Sequence, residues 1–109
     1  MTTKNRKSSA KKFLESLAGQ LTLFKFVESI REGEEWSKKE MSEKLRVSAT
    51  YYSDFIAGKK PVSPQKAAEW ARLLGYDRRQ FIKLALRDQL DRFDLPYEVE
   101  LRARVASHR

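Results

Sequence analysis

The 109-residue chain contains no cysteine and a single histidine, His108. The absence of cysteine excludes disulfides, thiolate zinc sites, iron–sulfur clusters and cysteine nucleophiles. A lone histidine near the end of the sequence leaves little basis for histidine catalysis or metal binding. The four glycines form no glycine-rich phosphate loop. We therefore predict that the protein is not an enzyme and uses no cofactor and no metal.

Long apolar runs are also absent. No run approaches the roughly 18–20 residues that a membrane span needs, and no signal peptide heads the sequence. A length of 109 residues leaves room for one domain and a tail. We expect a soluble, cytoplasmic protein that does not bind membranes.

Positive charge is in excess, because 23 Lys and Arg face 15 Asp and Glu, which gives a net charge of +8. The excess is uneven. Residues 1–12 carry five cations and no acid, residues 13–35 carry two cations against five acids, and residues 85–109 are balanced. The remaining excess lies in residues 36–84. Such a charge favours a polyanionic partner, most commonly nucleic acid, although a charge run is often only a solvated face.

Apolar residues at helical spacing predict an all-α domain of five to six helices over residues 9–94. A basic, disordered arm is predicted over residues 1–8. The first helix is expected from Ser9, and the second from Leu23 to about Glu32, with its end at Gly33. The last helix is expected after Asp77, with an inward apolar set that extends to Phe93, and Pro96 prevents its continuation.

Capping signals place the other helix ends. Ser37 and Glu40 have the spacing of a capping box, and Trp36 and Met41 have the spacing of a hydrophobic staple. Further N-caps are expected at Ser48, Ser63 and Asp77, and helix ends at Gly58 and Gly75.

Between Ser37 and Gly58, two short helices are joined by a turn of three or four residues, which predicts a helix-turn-helix. A helix with its side chains is about as wide as the major groove of DNA. The second helix, called here the recognition helix, can therefore lie in the groove while the first helix braces it.

Landmarks of a known family also occur in order between about Phe26 and Leu86. They are Trp36, Ser37, Leu45, Val47, Ser48, Tyr52, Phe55, Gly58, Lys59, Pro61, the helix from Ala67 to Leu74, Gly75 and Tyr76. In these residues the chain resembles the phage-repressor (Cro/repressor-type, XRE-like) helix-turn-helix proteins. That family often has Gln, Ala, Gly and an acidic residue at four positions that here hold Lys38, Ser42, Arg46 and Ile56.

The resemblance implies a sequence-specific regulator of transcription that binds double-stranded DNA, expected to be a repressor acting as a dimer on a palindromic operator. Thr50, Tyr51 and Asp54 then offer a hydroxyl, a ring for a thymine methyl group and a carboxylate that accepts from cytosine N4. The other expected DNA contacts are Ser37, Lys38, Lys39, Ser48, Ala49, Ser53, Lys59 and Lys60. Alternatively, Tyr51 packs inside, Asp54 pairs with Lys59, and the lysines are simply solvated.

Residues 95–109 change to a period of two, which predicts a half-buried strand. The sequence offers no second strand, so we expect a second copy of the chain to pair with it. An antiparallel pair centred on Leu101 places Glu98 opposite Arg104 and Glu100 opposite Arg102. The expected dimerisation residues are Leu95, Tyr97, Val99, Leu101, Arg102 and Arg104. A frayed or helical tail, or pairing with a strand of another protein, remains an alternative.

A second function also fits this fold class. An antitoxin-type protein-binding module would neutralise a partner protein, a toxin, and could also bind DNA, since antitoxins often reuse this fold. Single-stranded nucleic acid binding would require exposed aromatic residues, whereas most aromatic residues here have core spacing.

Overall fold

The computed structural model describes residues 21–105, which form five α-helices and no strand. The helices are α1 (Leu23–Glu34), α2 (Lys38–Lys44), α3 (Ala49–Ile56), α4 (Pro64–Leu74) and α5 (Arg78–Arg92). The predicted arm of residues 1–8 and the helix predicted from Ser9 lie outside the described residues. None of the described helices is long and apolar enough to cross a membrane.

Side-chain caps begin all five described helices. The predicted capping box is confirmed, because the Ser37 N–H donates to Glu40 Oε1 at 2.7 Å and the Glu40 N–H donates to Ser37 Oγ at 3.0 Å. The predicted N-caps Ser48, Ser63 and Asp77 are confirmed as well. Each such cap stabilises its helix by about 1 kcal/mol. Local chemistry therefore fixes where these helices begin.

The end of α1 differs from the prediction. The helix passes through Gly33 and ends after Glu34, and Glu35 adopts the left-handed conformation with φ of 61°. The Trp36 N–H donates to the Arg31 carbonyl at 3.1 Å, which closes a Schellman-type end. This closure turns Trp36 back against the core. Packing of Trp36, rather than the freedom of Gly33, therefore sets the helix end.

One core unites the helices. α4 packs along α5, α2 packs on α3, and α1 contacts both α3 and α5. The rings of Phe55 and Trp70 meet edge to face with centroids 4.9 Å apart, which joins α3 to α4. The buried apolar residues are Leu23, Phe26, Val27, Ile30, Met41, Leu45, Tyr52, Phe55, Val62, Ala67, Trp70, Ala71, Phe81, Leu84 and Ala85.

Phe93 was expected in this core and is instead 74% exposed. It is the C-cap of α5, whose last fully buried residue is Ala85. Eight residues of helix advance the chain by about 12 Å, so Phe93 lies past the surface against which α5 packs.

The C-terminal strand predicted from residue 95 onward is not observed in residues 95–105. Leu95 is 42% exposed and Tyr97 is 66% exposed, whereas Leu101 is half-buried beside Asp77 and Lys83 at the start of α5. A strand needs a partner for its backbone groups, and no segment of residues 21–105 provides one. Instead, the Tyr97 N–H donates to the Leu95 carbonyl at 2.9 Å, and residues 100–102 lie beside the start of α5.

Candidate nucleic-acid interface

The predicted helix-turn-helix is formed by α2, the turn Leu45–Val47 and α3. The Val47 N–H donates to the Ser42 carbonyl at 3.0 Å, and Arg46 has a left-handed backbone with φ of 61°. The related family often has glycine at this turn position, and the structure gives the reason. Here an L-residue, Arg46, occupies the left-handed conformation, at a cost of about 1–2 kcal/mol.

Ser42 stands where the related family often has alanine. Its side chain is buried, and its hydroxyl donates to the Lys39 carbonyl at 2.7 Å. Because the hydroxyl finds its acceptor within its own helix, this small polar residue leaves no unsatisfied group at the contact between α2 and α3.

A polar network braces the recognition helix, α3, from α1. The Tyr52 hydroxyl donates to Glu28 Oε1 at 2.7 Å. Arg31 donates to both oxygens of Glu28, at 3.0 and 2.6 Å, and also to the Trp36 carbonyl at 2.7 Å. Three segments are thereby joined: α1, the loop that precedes α2, and α3. Tyr52 is buried, as its position in the pattern predicted.

Electrostatics keeps this network charged. The hydrogen bonds from Arg31 lower the pKa of Glu28, against the opposing effect of burial, and the Tyr52 hydroxyl lowers it further. Burial and the hydrogen bond to Glu28 raise the pKa of Tyr52 well above its ordinary value. The phenol therefore remains a proton donor and the carboxylate an acceptor.

The exposed face of α3 carries only small side chains, those of Ala49, Thr50 and Ser53. Asp54 is half-buried beside them. Within residues 21–105 no ion pair joins Asp54 to Lys59; the Lys59 backbone N–H instead donates to the Asp54 carbonyl at 2.9 Å. No lysine or arginine lies on α3 itself. Because the exposed side chains of α3 are short, a duplex could approach the backbone of this helix closely.

Tyr51 lies on the side of α3 that faces α4. It is half-buried, and its ring meets Trp70 edge to face with centroids 6.3 Å apart. Lys66 Nζ lies 4.6 Å and Lys60 Nζ 5.7 Å from the centre of the Tyr51 ring. Burial raises the pKa of Tyr51.

The remaining predicted contact residues precede and follow α3 along the chain. Lys38 and Lys39 are exposed at the start of α2, and Lys59 and Lys60 are exposed in the loop after Gly58, which has φ of 79°. The oxygens of Ser37 and Ser48 accept helix N–H groups, which leaves each hydroxyl proton able to donate outward.

Two cations near this face were missed by the sequence reasoning. Arg46 is exposed in the turn, and its mismatch with the family's glycine was the only available signal. Lys66 follows the N-cap Ser63 in the first turn of α4, but its proximity to Tyr51 depends on how α4 packs on α3. No group of three or more His, Cys, Asp or Glu in the described residues could hold a metal ion.

Comparison with known proteins identifies the family. A family model described as helix-turn-helix matches residues 27–81, which is half of the chain and runs from α1 to the first turn of α5. No curated protein and no solved structure matches the chain significantly. The match covers the two-helix motif, the bracing helix α1 and the packing of α4. The chain belongs to the helix-turn-helix family of XRE-like, DNA-binding transcription regulators.

Proposed function

We propose that this regulator is a repressor that binds a palindromic operator as a dimer and inserts the exposed face of α3 into the major groove. The observation that carries the proposal is the distribution of charge around α3. The helix has no cation, whereas exposed lysines stand at the start of α2, Lys38 and Lys39, and in the loop directly after α3, Lys59 and Lys60. Phosphates of a duplex centred on α3 would meet these lysines, and phosphate contacts set position rather than sequence.

Base recognition then falls to short side chains. In the proposed complex the methyl groups of Ala49 and Thr50 contact thymine methyls, and the hydroxyls of Thr50 and Ser53 bond base edges. Asp54 accepts from cytosine N4. Ser37 and Ser48 donate their free hydroxyl protons to phosphates next to Lys38 and Lys39.

Dimerisation would occur through the C-terminal segment. The side chains of Glu98, Glu100, Arg102 and Arg104 are all exposed, and none forms an ion pair within residues 21–105. In an antiparallel pair with a second copy, these four would form opposite-charge pairs across the two strands, while Leu95, Tyr97, Val99 and Leu101 share the other face. A two-fold axis there suits two half-sites about 34–36 Å apart.

A second function is favoured by one observation, the exposed apolar residues Phe93, Leu95 and Tyr97 at the end of α5. An antitoxin-type module would cover such residues with the toxin that it neutralises. A toxin that co-purifies with the chain, together with loss of that complex on Tyr97→Ala, would support this function over self-pairing.

Selection of bound duplexes from a random pool tests the proposed function. The expected result is a palindromic motif with thymine and cytosine at fixed positions. Thr50→Ala with Asp54→Ala should lose the motif but retain salt-sensitive binding to random duplex. Lys59→Ala or Lys60→Ala should instead preserve the motif and make the salt dependence of binding shallower by about one phosphate contact. Failure of the wild-type chain to enrich any duplex would overturn the proposal.

A further inference from the structure

We propose that Tyr51 is a positioning residue, whose ring holds Lys60 and Lys66 together so that both bind one backbone phosphate of the DNA. The inference rests on the proposed DNA-binding face. It replaces the expectation that Tyr51 reads a thymine methyl group.

The ring of Tyr51 has a fixed support. It packs edge to face on Trp70, which is fully buried and is itself held by Phe55 at a centroid distance of 4.9 Å. The ring therefore takes its orientation from the core between α3 and α4, and it cannot turn toward the exposed face of α3 without leaving Trp70.

The two ammonium groups converge on this ring from different parts of the chain. Lys66 lies in the first turn of α4, where its backbone N–H donates to Ser63 Oγ at 3.1 Å. Lys60 lies in the loop after α3. Their Nζ atoms are 4.6 and 5.7 Å from the centre of one ring, within the range of cation–π attraction.

Two like charges at one ring repel each other, and no carboxylate forms an ion pair with either lysine in the part of the chain that the structure describes. The electron-rich ring offsets part of this repulsion, and an anion between the two ammonium groups would offset the rest. A backbone phosphate is the anion that a duplex on α3 presents beside this helix. The ligand of the pair is therefore phosphate, not a base.

The geometry also argues against base reading by Tyr51. The residues that face outward from α3 are Ala49, Thr50 and Ser53, whereas Tyr51 is half-buried on the flank.

The experiment measures binding of the full chain to a labelled random-sequence duplex, for which base reading is irrelevant. Tyr51→Phe keeps the ring and should bind within about 2-fold of wild type. Tyr51→Leu keeps an apolar contact with Trp70 but removes the ring, and should weaken binding by about 2- to 5-fold. In a chain that carries Lys60→Ala and Lys66→Ala, Tyr51→Leu should have no further effect.

Three results would overturn the role of Tyr51: equal weakening by Tyr51→Leu with and without the lysines, equal weakening by Tyr51→Phe and Tyr51→Leu, or no weakening by the lysine substitutions. Selection from a random pool gives an independent readout, since Tyr51→Leu should enrich the same motif as the wild type. A changed motif would make Tyr51 a base reader. Absence of any salt-sensitive binding by the wild type would instead overturn the proposed function itself.

Discussion

The hydroxyl of Tyr52 on α3 donates a 2.7 Å hydrogen bond to Glu28 on α1, and Arg31 holds that carboxylate from the other side. The recognition helix is thus oriented by a directional polar contact as well as by apolar packing. Arg31 also donates to the Trp36 carbonyl, immediately before α2. The Arg31 guanidinium therefore contacts the segment that leads into α2 directly, and it is linked to α3 through Glu28 and Tyr52.

Tyr52→Phe removes this hydrogen bond and keeps the ring in the core. Hydrogen bonds to charged groups contribute about 1.5–3 kcal/mol, so the free energy of unfolding should fall by an amount in this range. Urea denaturation should show a lower midpoint with an unchanged m-value. Tyr97→Phe is the matched control, because Tyr97 is 66% exposed, and it should leave the midpoint unchanged. Equal midpoints for Tyr52→Phe and wild type would show that the contact adds no stability.

Glu28 should make the free energy of unfolding depend on pH in the acid range. Its pKa is lowered in the folded chain from the ordinary value of 4.5, chiefly by the hydrogen bonds from Arg31. The stability that it provides is therefore complete above pH 4.5 and is lost as the pH falls through the lowered value. Glu28→Gln should be less stable than wild type at pH 7, and the difference should narrow steadily below pH 4.5.

Asp88 titrates with the opposite sign. Burial raises its pKa above 3.8, against the hydrogen bond that its Oδ2 accepts from the Leu23 N–H at 3.0 Å. The favourable contribution of Asp88 to the free energy of unfolding is complete below pH 3.8. It is lost as the pH rises through the raised pKa of the folded chain. The effect of Glu28 is therefore read from the difference between wild type and Glu28→Gln, in which Asp88 is common to both. A difference that widens toward low pH would contradict the sign given for Glu28.

Arg46→Gly should stabilise the turn between α2 and α3. The left-handed conformation costs an L-residue about 1–2 kcal/mol, and glycine gives back part of that gain through its greater freedom in the unfolded chain. We expect the free energy of unfolding to rise by about 0.5–1 kcal/mol, measured by urea denaturation. Arg46→Ala removes the same charge and keeps the strain, so it should not raise stability. A gain in both variants would assign the effect to charge instead.

The structure shows which features could be derived from residue order alone. Ser37, Ser48, Ser63 and Asp77 were predicted as caps because a cap acts on an N–H two or three residues away. The helix ends at Gly58 and Gly75, which both have a left-handed backbone, likewise depend only on residues nearby in the sequence. The two-helix motif followed because its helices are short and their ends are marked.

Features that depend on packing could not be derived in this way. The position at which α1 ends is set by the packing of Trp36 and not by Gly33. Phe93 lies beyond the core, although its helical spacing matches that of the buried residues of α5. The approach of Lys66 to Tyr51 joins residues 15 positions apart through the packing of α4 on Trp70. The C-terminal segment shows the same limit, because alternation marks a face but does not provide the partner that a strand needs.

The proposed pairing of the C-terminal segments makes a charge-reversal prediction. Around a two-fold axis at Leu101, Glu98 of each copy faces Arg104 of the other, so Glu98→Arg creates two like-charge pairs in place of two opposite-charge pairs. Each pair contributes roughly 0.2–1 kcal/mol, and the dimer dissociation constant should rise several-fold. Arg104→Glu alone should have the same effect, and both changes in one chain should restore the wild-type constant. Light scattering against concentration gives these constants.

Truncation after Pro96 should leave a folded monomer, since the core ends before that residue. A truncated chain that remains a dimer would move the interface elsewhere on the domain.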